Sequence, residues 1–359
     1  MKKFACFIFL LALFTTPAWG WYRVKDKSDY IELETMYGAT TIREPVLLDL
    51  IRSSAFERLK HIRQYGVTWF IRDEYEYTRH EHSLGVFYLV RKYGAPLDEQ
   101  VAALLHDVSH TAFSHVGDYI YGHIRSEKVM QDEMHEQYIL DSGLMKILQK
   151  YGFSHAVTEE AKKSQPCFEQ DKPNICADRL EYVLNGALME GLFSEQDIRD
   201  ILQHVHFIKG DWFFDDVPLA KKYARASVQL PEMRWGAAWH AFAYNCMGKA
   251  LLKAVKIGLI NFDEIKFSTD DVLWNKINAS QDPDIKLQMQ RLKKWQTAFK
   301  VVSEDQADTH IIGKFTGQDP WVMTQTGLQR LSSIDSDFAT YYQTVGSLQK
   351  QGYWIQLHP

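Results

Sequence analysis

The chain has 359 residues, 46% of them hydrophobic and 24% charged, with a formal net charge of −5 at pH 7. This balance excludes a disordered or fibrous chain. Its acidity argues against a nucleic-acid partner, which would need a basic surface. The length allows one large domain, or a main domain with a smaller one appended.

Residues 1–20, "MKKFACFIFLLALFTTPAWG", begin with Lys2 and Lys3, continue through an apolar run from Phe4 to Phe14, and end in small residues at Ala18 and Gly20. This is the pattern of a secretory signal peptide cleaved near Gly20. The run is short for a bilayer span of about 20 residues, and no later stretch could span a membrane. The expectation is therefore an exported chain, periplasmic or secreted. Without Lys2 and Lys3 it is still more acidic. It keeps Cys167, Cys176 and Cys246, an odd number, so at least one thiol is unpaired. A Cys167–Cys176 bridge can form in an oxidising compartment.

Helical periodicity dominates the chain beyond the leader. In 44–66, Val46, Leu47, Leu50 and Ile51, then Phe56, Leu59 and Ile62, recur at three- and four-residue steps around a break at Ser53 and Ser54. The stretch 80–94 repeats the pattern and stops at Gly94, a left-handed cap. Asp98 is placed to cap the next helix, "EQVAALLHDV". Further helices are expected at 126–141, 175–190, 195–204, 232–257 and 284–299. Residues 204–216 alternate around a Lys-Gly-Asp turn and predict a small hairpin, and "QGYWIQL" near the end is another candidate strand. The reading is an all-α, mainly helical fold with a small β-hairpin and a mostly helical C-terminal region. Its divisions are 1–20 (leader), 21–194 (core) and 195–359 (a region packed on the core).

The stretch "LLHDVSHTAFSH" (104–115) places three histidines and an aspartate where an apolar helix ends. Burying them beside Leu104, Leu105, Val108 and Phe113 is costly unless something compensates, and a metal ion does so. His106 and Asp107 point about 100° apart on a regular helix, so both reach one ion only at a helix end or against a ligand from elsewhere. His82 and Asp178, the latter in the otherwise apolar "NICADRLEYVL", can supply partners. Two imidazoles and two carboxylates suit a six-coordinate divalent ion such as manganese, iron or magnesium.

The ordered blocks "FERLKHIRQYG", "RHEHSLGV", "LLHDVSHTAFSH", "MHEQYIL" and "DRLEY", from about Met36 to Leu188, resemble the HD-domain metal-dependent phosphohydrolases. Within that superfamily they are similar to the deoxynucleoside triphosphate triphosphohydrolase-like branch. The resemblance implies a helical fold with the metal at its centre and carries the ligand roles onto His82, His106, Asp107 and Asp178. It further implies that His110 meets the phosphate, that Asp118 orients His115 for proton transfer, and that His135 is a further active-site histidine. By the same resemblance Arg79 and Arg179 hold the phosphate chain, Gln64 and Tyr65 contact the sugar, and Tyr182 packs beside it. Guanidinium forks suit phosphate oxygens, and imidazole titrates near working pH.

The chain departs from the family pattern at Ser109, Thr111 and Ala112, which stand where two glycines and a proline are usual, and at Asn185-Gly186, which replace an Arg-Asp pair. Tyr65 stands where leucine is common. The expected function is metal-dependent hydrolysis of a phosphoester or phosphoanhydride in a small nucleotide-like substrate, (deoxy)nucleoside triphosphates included, by a chain that can form a homo-oligomer. The alternatives are a catalytically silent nucleotide- or metal-binding module and a two-metal phosphodiesterase.

Overall fold

The computed structural model describes residues 21–72, 77–120, 130–162 and 164–358. The expected leader lies outside the described residues, as does the start of the helix expected at 126–141, which is seen over Met130–Asp141. Among the described residues no helix is long and apolar enough to cross a membrane.

Helices carry the fold. Arg79–Lys92 is its axis, with every residue from His82 to Val90 buried. It starts where the sequence provides a capping box: Thr78 Oγ1 accepts from the Glu81 amide at 3.3 Å, and Glu81 returns a carboxylate to the Thr78 amide at 2.8 Å. Such a cap contributes about 1 kcal/mol. The helix ends before Gly94, which is left-handed at φ +79°. Leu97–Leu105 packs against it, and Pro96, not Asp98, is the N-cap there. Asp98 sits in the first turn instead, where its charge meets the helix dipole. Ala177–Met189 packs on the other side.

Two hydrophobic cores form. The first joins these three helices to Pro45–Ile51, Glu195–His204 and Val217–Met233. The second surrounds Ala238–Lys256 and takes in Ala112, Phe113 and Val116. The histidine-rich loop therefore passes from one core, at Val108, into the other, at Ala112 and Phe113.

The helical class is as expected, but the strand content exceeds one hairpin. Arg23–Asp26, Ile31–Thr35 and Gly38–Ile42 form an antiparallel meander. Its signal was Ile31 and Leu33 alternating with Glu32 and Glu34, a two-residue period that the stronger helical pattern after Glu44 overshadows. The expected hairpin is Val205–Ile208 with Asp211–Phe214, turning at Lys209 (φ +55°) and Gly210 (φ +93°). Trp321–Thr324 and Gly327–Arg330 extend it to four strands. The terminal strand Tyr353–Leu357 pairs with Phe299–Val301 and Thr309–Ile311. Cys167, Cys176 and Cys246 are all free and buried, so the Cys167–Cys176 bridge is not formed.

Candidate metal centre

His106 is the C-cap of its helix, and that position lets adjacent His106 and Asp107 turn toward one place. His82 arrives from the axial helix and Asp178 from the first turn of Ala177–Met189. Ligand atoms of His82, His106 and Asp107 lie within 4.8 Å of one another. Asp178 Oδ1 is 3.0 Å from His82 Nε2 and 3.6 Å from His106 Nε2.

The two Nε2 atoms face each other at 3.2 Å. His106 directs Nδ1 to the Ala103 carbonyl at 2.7 Å, and His82 directs Nδ1 to the Glu181 carboxylate. Those partners accept the Nδ1 protons, so Nε2 is the nitrogen of each ring left to face an ion. Two imidazole nitrogens opposed at contact distance beside two carboxylates need a cation between them, a proton or a metal ion in its place, and this donor set fits a divalent metal. The field agrees. Burial works against charge on His82, yet the carboxylates of Glu181, Asp178 and Asp107 push its pKa up to about 10.

Asp107 is held from behind. Arg79 Nη1 donates to Asp107 Oδ2 at 2.6 Å and Arg79 Nε to Ser114 Oγ at 3.0 Å. Burial would raise the Asp107 pKa, but Arg79, followed by His106 and His110, keeps it well below the usual carboxylate range. Arg79, expected at the phosphate chain, is thus engaged with Asp107 and the loop. Arg179 bonds Glu169 at 2.8 Å and the Asn174 carbonyl at 3.0 Å. Glu169, Cys176 and Asp178 also lie close enough to form a ligand group. There burial pushes the Cys176 thiol upward and Glu169 is committed to Arg179, so that group is a poor metal site.

His110 Nε2 lies 3.2 Å from Asp107 Oδ1, and burial lowers its pKa to about 3, so the ring is neutral. His115 stands edge-on to His110 with ring centres 4.9 Å apart, and its Nδ1 meets Asp118 Oδ2 at 3.2 Å. Burial and then Lys314 lower the His115 pKa. His135 is buried and bonds Ser109 Oγ at 2.9 Å.

The loop carrying these groups takes a left-handed path at two consecutive non-glycine residues, Phe113 (φ 61°) and Ser114 (φ 53°). Each such residue costs of order 1 kcal/mol. The path is held by the Phe113 amide on Asp270 Oδ1 at 2.6 Å and by Ser114 Oγ donating to the Arg63 carbonyl at 2.7 Å.

The expected sugar contacts lie together. Tyr65 stacks on Trp235 at 6.3 Å, Tyr182 meets Trp235 edge-on at 5.8 Å, and the Arg234 guanidinium lies 5.1 Å from the Tyr65 ring centre. Gln64 Oε1 is buried and has no hydrogen-bond partner among the described residues. Sequence reasoning missed Trp235 and Glu181. Glu181 had a signal, since it stands three residues after Asp178 in "DRLEY" and so shares a helix face with it. Trp235 had none.

Residues 79–164 match the family model described as HD domain. The chain is 33% identical over 278 residues to the metal-dependent phosphohydrolase cns2 of Cordyceps militaris, covering 75% of this chain and 79% of that protein. It is 31% identical over 129 residues to the deoxynucleoside triphosphate triphosphohydrolase SAMHD1 of Gallus gallus, covering 30% of this chain and 21% of that protein. Among solved structures it resembles a phosphohydrolase from Bacteroides thetaiotaomicron, with TM-score 0.67, 15% identity, and coverage of 94% of this chain and 100% of the other. At that identity the likeness concerns the fold alone.

Proposed function

Since the chain belongs to the HD-domain metal-dependent phosphohydrolases and is a hydrolase of that superfamily, we propose that it cleaves a phosphoester or phosphoanhydride of a nucleotide-like substrate. The observation that supports this most is the meeting of His82, His106, Asp107 and Asp178 side chains from three helical elements. In this reading those four hold a divalent ion, which supplies charge for a phosphoryl oxygen and acidity for a bound water.

The chain's own residues do the rest. Arg79 keeps Asp107 ionised and oriented. His110, whose Nε2–H faces Asp107 Oδ1, would turn that donor to the phosphate once Asp107 is engaged by the ion. Asp118 accepts the Nδ1–H of His115, leaving Nε2 to take a proton from the attacking water and return it to the leaving oxygen. The Tyr65, Tyr182 and Trp235 rings form an aromatic cluster suited to a base or sugar, and Gln64 Oε1 is an acceptor for a hydroxyl. The relatives named as deoxynucleoside triphosphate triphosphohydrolases make such triphosphates the first substrates to try. We also propose export, on the strength of the leader-like residues 1–20. N-terminal sequencing of the cell-envelope or secreted protein would find Trp21 first if that is right.

The test is to purify the chain, measure bound metal, and assay release of phosphate, pyrophosphate and triphosphate over a nucleotide panel, with Asp178→Ala as comparison. Metal and turnover in the parent and loss of both in the variant are expected. Equal turnover in both would overturn the mechanism. Tight nucleotide binding without product would favour a silent module, for which the replacements at Ser109, Thr111, Asn185 and Gly186 speak. Two metal ions per chain would favour the two-metal reading.

A further inference from the structure

Helix Ala177–Met189 presents two carboxylates, one turn apart, to opposite nitrogens of the same imidazole: Asp178 to His82 Nε2 and Glu181 to His82 Nδ1. Glu181 is fully buried. A buried carboxylate is costly unless its lone pairs are filled, and here they are. Oε1 accepts Tyr22 Oη at 2.6 Å and Tyr37 Oη at 2.9 Å, and Oε2 accepts Tyr77 Oη and His82 Nδ1. Four donors meet one carboxylate.

We infer that Glu181 is the positioning residue of the metal centre, fixing the tautomer and ring angle of His82, and that the N-terminal meander completes the site by fixing Glu181 through Tyr22 and Tyr37. This rests on His82 being a metal ligand, as proposed above. With every lone pair of Glu181 occupied by a donor, His82 keeps its proton on Nδ1 and Nε2 is the nitrogen that gives up its proton to a metal. Burial, followed by the Glu181 charge, raises all three tyrosine pKa values well above 10, so these hydroxyls remain donors.

The space is built for this contact. A Cβ added at Gly85, on the axial helix one turn after His82, would lie 2.6 Å from Tyr22 Oη and 2.7 Å from Glu181 Oε1. Only glycine lets carboxylate and hydroxyl approach that helix. Tyr22 and Tyr37 belong to a segment of strands otherwise remote from the ligands, 159 and 144 residues from Glu181 along the chain. Their hydroxyls are therefore a direct link between the meander and the metal.

The experiment measures Mn²⁺ affinity by calorimetry, with the melting temperature of the metal-free protein as the measure of fold, for the parent, Glu181→Gln, Tyr22→Phe, Tyr37→Phe and Asp178→Ala. Tyr88→Phe is included as a control. The Tyr88 hydroxyl packs against Gly38 of the same meander. Glu181→Gln is expected to weaken Mn²⁺ binding about 10- to 100-fold. Each Tyr→Phe change at 22 or 37 should weaken it about fivefold, the worth of one hydrogen bond, with melting temperature close to the parent and Tyr88→Phe unchanged in affinity. Parent-like affinity in Glu181→Gln and both tyrosine variants, with binding lost in Asp178→Ala, would overturn the inference and leave the metal site standing. Equal binding in the parent and Asp178→Ala would overturn both. Should Glu181→Gln not fold, the two tyrosine variants, which keep the carboxylate, decide.

Discussion

At His204, His206 and Asp215 the chain repeats on its surface the residue types that it gathers inside at His82, His106, Asp107 and Asp178. Outside, His204 Nδ1 meets one Asp215 oxygen at 2.8 Å and His206 Nε2 meets the other at 2.8 Å, with side chains 34–44% exposed. Each imidazole has its own acceptor, so no lone pairs are opposed. Inside, the side chains of His82 and Asp107 are 1% and 4% exposed, and the two Nε2 atoms point at each other while each Nδ1 has an acceptor elsewhere. The residue types are the same in both, with one aspartate fewer outside. What separates a hydrogen-bonded pair from a candidate cation site is where the protons are sent, and at His82 that is decided by Glu181.

The largest test of this contrast is Asp107→Ala. It removes a proposed ligand and leaves Arg79 buried without its carboxylate. Turnover should fall at least about 1,000-fold, and stability by about 3–5 kcal/mol. Phosphate release and denaturant unfolding, read on the same sample, check both. Parent-like turnover would dissolve the distinction between the clusters.

A smaller effect separates burial from convergence. His240 is buried, stacked on Tyr244 at 4.3 Å, and its Nε2 has no partner among the described residues. Burial, then Arg234 and His115, lowers its pKa from 6.5 to about 3. The unfolded chain binds this proton below pH 6.5 and the folded chain does not until about pH 3. The contribution of His240 is therefore fully present above pH 6.5 and lost as pH falls toward 3. His240→Phe should flatten this part of the stability curve, as read from unfolding midpoints across the window. An unchanged acid slope would mean that His240 is not buried neutral. The smallest effect is expected for Asp215→Asn, which breaks only exposed pairs. A stability change of about 1 kcal/mol or less, with unaltered metal content, is the outcome that keeps the two clusters distinct.

The sequence made the ligand candidates legible because they lie in short blocks that resemble the family's, and the 100° step left His106-Asp107 either at a helix end, where the fold has them, or against a ligand from another helix. It did not reveal their support. Tyr22, Tyr37 and Glu181 meet only through tertiary packing, and a tyrosine beside a strand or in a turn carries no mark of what its hydroxyl will reach. Arg79 illustrates the same limit: the resemblance placed it beside the site, while only the fold shows that its guanidinium bonds Asp107. Val217–Met233 escaped notice as one long helix because Pro218, Pro231 and the pair Lys221-Lys222 interrupt its apolar period. Pro218 lies in the first turn, where proline is tolerated, and Pro231 in the last.

The left-handed passage through Phe113 and Ser114 has a thermal consequence. Its clasp, Asp270, begins the helix Asp270–Asn278, which belongs to the second core and supplies no proposed ligand. Fraying of that distant turn would let the contorted loop relax while most of the secondary structure endured. On gentle heating, catalytic competence should fade before the far-ultraviolet signature of helix does, and cooling should restore it.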